Sequence, residues 1–150
     1  MKIEALLKEK GIELPEAVKP VANYVTSVRT GNLIFTSGHG PQKHIPLGKV
    51  GKELTLEQGY EAARNTALCL ISTLKDVLGD LDKVKRIVKL VGFVNCAEDF
   101  KDQPKVVNGA SDLFVEIFGE KGKHSRSAVG MYQLPNGIPV EIELVVEVED

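Results

Sequence analysis

Apolar residues recur at helical spacing in some stretches of this chain and alternate with polar ones in others. From Thr55 onward, Tyr60, Ala63, Ala67, Leu70, Ile71, Leu74, Val77 and Leu78 fall on one stripe, the pattern of an amphipathic helix. Thr55 and Gln58 make a capping-box pair that satisfies amides of the first turn, and Gly79 closes the helix. A second stripe of Val107, Ala110, Phe114, Ile117 and Phe118 follows Asp102 and stops at Gly119. Residues 2–10 predict a short helix with Ile3, Leu6 and Leu7 as its apolar side, ended by Gly11.

The period changes to two elsewhere. Tyr24–Arg29 and Leu33–Ser37 predict strands joined at Gly31-Asn32, a pair suited to a tight hairpin turn. Lys85–Val94 is dense in β-branched residues and predicts a central strand. Residues 125–132 and 139–148 supply two more. In the last, Val140, Ile142, Leu144, Val146 and Val148 share one face. Glu141, Glu143, Glu147 and Glu149 project from the other, interrupted by Val145. Pro15 and Pro20 mark an extended lead-in, and Gly38 to Glu53 is a loop long enough to be functional or mobile. The order ββαβαββ after an N-terminal helix predicts an α+β fold: a mixed β-sheet with two helices packed on one face. The other sheet face is then left to solvent or to another subunit.

Alternation through His124–Met131 puts Ser127, Val129 and Met131 on one face, read as core. Arg126, Ala128 and Gly130 share the opposite face, where two small neighbours leave room beside the guanidinium. That group stays charged and can grip a carboxylate through two parallel hydrogen bonds. On spacing alone Arg126 reads as an ordinary surface arginine at a sheet edge ahead of a pocket wall. Both Arg126 and Glu141 belong to sets expected to look away from the helices.

Composition narrows the class. A length of 150 residues predicts one domain, with residues 1–14 as an N-terminal extension, and 43% hydrophobic with 27% charged residues is ordinary for a soluble globular chain. A net charge of −2, with five phenylalanines and three tyrosines, gives no basic, aromatic surface for nucleic acid. Cys69 and Cys96 form neither a metal pair nor a disulfide framework, which fits a reducing compartment. Met1–Lys10 lacks the apolar run of a signal peptide, and no stretch approaches the ~20 apolar residues of a membrane span, so a cytoplasmic protein is expected. His39, His44 and His124 lack metal-ligand spacing, and no phosphate loop, nucleotide fingerprint or nucleophile elbow occurs, so neither metal nor cofactor is expected. His39 stands beside Ser37-Gly38 as a turn histidine or a proton donor.

Three motifs then converge. Ser125-Arg126-Ser127-Ala128-Val129, Leu134-Pro135 and Val140-Glu141-Ile142-Glu143 together resemble the RidA/YjgF family of imine and enamine deaminases. Leu33-Ile34-Phe35-Thr36-Ser37-Gly38 and Phe93-Val94 followed by Asp99-Phe100 extend the resemblance over roughly residues 20–148. It implies the fold of trimeric α+β chorismate mutases and a homotrimer with sites between subunits. It further implies that Arg126 holds a substrate carboxylate, that Glu141 orients or activates water, and that Tyr24, Ser37 and Asn108 line the pocket. Ala128 stands where many members carry cysteine, which removes any thiol chemistry and enlarges the pocket. His124 replaces a commoner proline or alanine, and Tyr132 a small or basic residue, so the chain resembles a divergent branch. The implied activity is cofactor-free hydrolysis of small 2-imino or enamine acids to 2-oxo acids and ammonia. A trimer that binds 2-oxo carboxylates as a sensor, without turnover, is the alternative.

Overall fold

Val140, Ile142, Leu144, Val146 and Val148 are all buried, whereas Glu141, Glu143, Val145 and Glu147 between them are not. That alternation makes the last strand the interior of a sheet with one packed face and one open face. The computed structural model describes residues 1–20 and 22–150. Its helices are α1 (Lys2–Glu9), α2 (Leu56–Leu78) and α3 (Gln103–Phe118). Its strands are β1 (Ser27–Thr30), β2 (Leu33–Thr36), β3 (Val84–Asn95), β4 (Ser125–Met131) and β5 (Val140–Val148). They form one sheet in the order β1-β2-β5-β3-β4. Only β3 and β4 run parallel, because α3 carries the chain back between them; the other neighbours are antiparallel.

The helix stripes face the core as their spacing predicts, except that Val77 near the end of α2 is 44% exposed. Thr55 accepts from the Gln58 amide at 3.1 Å while the Gln58 side chain accepts from the Thr55 amide at 2.9 Å, and Gly79 ends α2 at φ 76°. Ala63, Ala67, Leu70, Ile71 and Leu74 of α2 and Val107, Ala110, Phe114 and Ile117 of α3 pack over Leu90, Val94, Ile142 and Leu144 in one core. Gly109 lets the two helices touch, since a Cβ there would overlap the Tyr60 carbonyl of α2.

Three expectations change. First, β1 begins at Ser27, not Tyr24. The hairpin register is fixed by Thr30 opposite Leu33, and β2 leaves β1 after Thr36 because His39 crosses to pair with Ile142, so the ladder has no partner for Tyr24. Second, the 38–53 loop is pinned by backbone bonds, with His39 and Ile142 exchanging two at 2.8 and 2.9 Å and Val50 bonding Asn95 and Ala97. Third, the faces of β4 are reversed. Arg126 pairs with Leu90 and Ala128 with Gly92, both buried on the helix side, so Arg126 and Ala128 face α3. Ser127 and Val129 lie on the open face instead, Val129 being 40% exposed. As an edge strand lying partly beyond the apolar stripe of α3, β4 meets polar side chains on its helix side, and pattern alone cannot reveal that.

Candidate functional site

Arg126 reaches from β4 to the face of α3 that carries Pro104, Asn108 and Ser111. Its Nη1 donates to Asn108 Oδ1 at 2.8 Å and to Ser111 Oγ at 3.0 Å, and its Nη2 donates to the Pro104 carbonyl at 3.3 Å. Asn108 and Ser111 stand three residues apart on one helix face, which is why both reach the same nitrogen. All three acceptors are neutral oxygens, and no carboxylate among the described residues pairs with this half-buried guanidinium. Two of its five N–H donors, on Nε and Nη2, have no partner among the described residues. The charge is therefore held in place and left uncompensated. Ala128 lies beyond Arg126 on the same face, with its methyl packed against the core. The residue itself is partly exposed.

Behind Ser111 stands His124. Its Nδ1 lies 2.7 Å from the Gly122 carbonyl, which can only accept, so Nδ1 carries the proton. Its Nε2 then accepts from the Ser111 hydroxyl at 2.9 Å. Burial lowers the imidazole's pKa, the bond to Gly122 acts the other way, and the Arg126 charge lowers it further.

Glu141 occupies the other side of the sheet. It pairs with Phe93 on β3, three residues along from the Leu90 that pairs with Arg126. Within one chain the sheet thus separates the two groups. The Glu141 carboxylate packs on Gly38, where a Cβ would overlap Oε2. Half burial raises its pKa, and Glu143 raises it further. Ser37, next to Gly38, donates its hydroxyl to the Val25 carbonyl at 2.6 Å and ties the lead-in to β2. Tyr24, Thr26, Ser37, Gly38 and His39 line a small cavity of about 180 Å³. His39 is buried, with Nδ1 donating to the Ser37 carbonyl at 2.8 Å and Nε2 accepting from Thr73 Oγ1 at 2.8 Å, so its ring is fully engaged in holding the turn.

The six residues singled out in the sequence therefore fall into two groups: Arg126, Asn108 and Ala128 on the helix side, and Glu141, Ser37 and Tyr24 around the 37–38 turn. Ser111 was not singled out, although its spacing from Asn108 was a readable signal. Of the two thiols, Cys69 is buried and burial pushes it up to about 11, while Cys96 lines a cleft with Gln103 and Gly130 and accepts from the Gln103 side chain at 3.5 Å. That cleft, about 750 Å³, opens between Lys49, Phe100, Gln103, Gly130 and Tyr132, and Gln103 and Gly130 place its edge next to Pro104 and Ala128 of the Arg126 group. Its Lys49 amine is engaged by Asn95 Oδ1 at 2.8 Å and by the Tyr132 carbonyl.

A mixed five-stranded sheet of this order, with these motifs at these positions, defines a class that comparison with known proteins identifies. The family model described as "YjgF/chorismate_mutase-like, putative endoribonuclease" matches residues 4–144, and the chain belongs to that RidA/YjgF family. Protein TCP17 of Trypanosoma cruzi is 44% identical over 153 residues, 99% of this chain and 96% of its own. A crystal structure from Shewanella oneidensis, described as a "putative endoribonuclease", superposes with a TM-score of 0.94 at 35% identity, covering 97% of this chain and 99% of that one. The 2-iminobutanoate/2-iminopropanoate deaminase of Dermatophagoides farinae is 27% identical over 140 residues, 92% of this chain and 95% of its own. Among the described residues no helix is long and apolar enough to cross a membrane.

Proposed function

We propose that this protein hydrolyses small 2-imino or enamine acids to 2-oxo acids and ammonia, without a cofactor, at sites shared between copies of the chain. The observation that carries the reading is Arg126: a permanent cation, fixed by three neutral oxygens, with two donors still to give. Such a group is a ready receptor for a small carboxylate, and each charge-assisted hydrogen bond contributes about 1.5–3 kcal/mol. The related mite deaminase gives the chemistry its class.

Glu141 supplies the second half. A half-buried carboxyl with a raised pKa exchanges protons closer to neutral pH than a solvated glutamate does. With the substrate carboxylate on Arg126, Glu141 and a neighbouring backbone carbonyl hold a water. Glu141 takes the water's proton as the oxygen adds to the imine carbon. With the imine entering as its iminium, the adduct is a neutral carbinolamine. Glu141 returns the proton to its nitrogen, the C–N bond breaks, and the hydroxyl proton leaves with ammonia as ammonium while the carbon becomes the ketone of a 2-oxo acid. Because the sheet separates Arg126 from Glu141 in one chain, the two meet on one small substrate only if they come from different copies. A homotrimer that covers the open face, where Val28, Phe35 and Val129 are exposed, provides that arrangement.

The test is hydrolysis of 2-aminoacrylate, generated in situ, by purified protein. Wild type accelerates it over buffer, and Arg126→Ala abolishes the acceleration. Wild-type rates equal to buffer, with 2-oxobutyrate still bound in calorimetry, select a binding protein without turnover. Degradation of RNA by the wild type, retained in Arg126→Ala, removes the site from the activity altogether. A chain of net charge −2 favours neither RNA binding nor an extended anionic substrate.

A further inference from the structure

We infer that His124 is a positioning residue for Arg126, acting through the hydroxyl of Ser111. The inference rests on the reading of Arg126 as the carboxylate receptor and adds what keeps that receptor aimed.

A serine hydroxyl rotates, and on a helix its usual alternative is to give its proton to a carbonyl one turn back. Its lone pairs then point wherever that rotation leaves them. Ser111 does otherwise: its proton goes to His124 Nε2 at 2.9 Å, which leaves Oγ to accept from Arg126 Nη1 at 3.0 Å. His124 can accept there only as the tautomer protonated on Nδ1, and the Gly122 carbonyl at 2.7 Å fixes that tautomer. The Phe114 ring meets the imidazole edge-on, at 6.1 Å and 86°, and holds its plane. The result is a one-way chain of donors. Arg126 gives to Ser111, Ser111 to His124, and His124 to a backbone carbonyl set by the turn before β4. Every bond draws the same edge of the guanidinium toward α3 and keeps its remaining donors turned outward. A cationic His124 could not serve, since it would offer Ser111 a proton and place a second charge beside the first. Burial and the neighbouring Arg126 charge both favour the neutral ring.

Removing the Nε2 acceptor leaves Asn108 and Pro104 holding the guanidinium, with Ser111 free to turn. Loss of one such neutral bond raises the Kd for a carboxylate about three- to tenfold. The chemical step, which belongs to Glu141, is untouched. The experiment measures 2-oxobutyrate binding by calorimetry and 2-aminoacrylate hydrolysis in His124→Phe, His124→Gln, Ser111→Ala and the double variant Ser111→Ala/His124→Phe. Phenylalanine keeps the ring and its contact with Phe114, while glutamine keeps an acceptor within reach of Ser111. Expected are a raised Kd and KM with kcat within about twofold in His124→Phe, recovery in His124→Gln, and no further loss in the double variant over Ser111→Ala. Wild-type binding in His124→Phe, equal damage in His124→Gln, or multiplying losses in the double variant each overturn the inference. Should His124→Phe fail to fold, unchanged binding in Ser111→Ala overturns it as well. Arg126→Ala separates the two levels. If it binds 2-oxobutyrate like wild type, the receptor reading and this inference fall together. If it does not bind while His124→Phe and Ser111→Ala do, only the inference falls.

Discussion

The carboxylate of Glu141 lies against the bare α-carbon of Gly38, so close that a Cβ at position 38 would overlap its Oε2 atom. The atom in the way is the end of a flexible side chain, and a rotation of Glu141 relieves the overlap at little cost. Gly38→Ala should therefore leave the thermal midpoint within about 2 °C of wild type. It should lower hydrolytic activity at least about tenfold, because a positioned acid–base group is worth 10²–10⁴ and displacement forfeits much of it. Thermal unfolding alongside the aminoacrylate assay checks both halves. A large drop in stability, or full activity, would show that the contact does not set the carboxylate's position.

Gly109 has a contact of the same closeness and the opposite consequence. Its Cβ would overlap the backbone carbonyl of Tyr60, and neither α2 nor α3 can move aside without opening the core. Gly109→Ala should destabilise the protein by about 3 kcal/mol, a fall of roughly 6–12 °C in midpoint for a chain of this length. Urea denaturation with an unchanged slope would identify the loss as folded-state strain.

Stability should also depend on pH through two histidines. Burial lowers the pKa of His39 and, together with the Arg126 charge, that of His124, from an ordinary value of 6.5. Below 6.5 the unfolded chain takes up protons before the folded one does. The contribution is thus fully present above that value and is lost as pH falls through the folded pKa values, with a slope of at most about 1.4 kcal/mol per pH unit for each group. Glu141 acts in the other sense. Its pKa is raised from 4.5, so between that value and the folded one the folded protein holds the extra proton and acidification favours it. Urea midpoints measured from about pH 8 to pH 5 should fall only below 6.5, less steeply in His39→Gln and more steeply in Glu141→Gln. A flat profile in wild type would contradict the burial of both imidazoles.

Much of this architecture was readable in advance, and the exceptions share a cause. The cap at Thr55 and Gln58, the stripe of α2 and the alternation of β5 are local patterns, each decided by residues within a few positions of one another. The orientation of β4 is not local. Alternation separates Arg126 from Val129, but only pairing with Leu90 and Gly92 of β3 says which of them meets the helices. A sequence reader gives the core to the larger apolar set, and at an edge strand that rule fails. The site divides along the same line. Arg126 and Glu141 stand out from their motifs alone, whereas their separation by the sheet, and the Ser111–His124 support behind Arg126, depend on register and on a turn.

That separation leads to the most discriminating experiment on the site. If each site takes Arg126 from one copy and Glu141 from a neighbour, Arg126→Ala and Glu141→Gln subunits are each inactive alone and complementary together. Unfolding the two in equal amounts and refolding them as a mixture gives random assemblies. An intact site needs an Arg126-bearing copy next to a Glu141-bearing one, so one half times one half, about a quarter, of the sites in any closed ring should recover. The mixture should then show about a quarter of wild-type hydrolysis, where either variant refolded alone shows only the buffer rate. Were both groups drawn from the same copy, no mixing ratio would restore activity, since every chain carries one of the two defects.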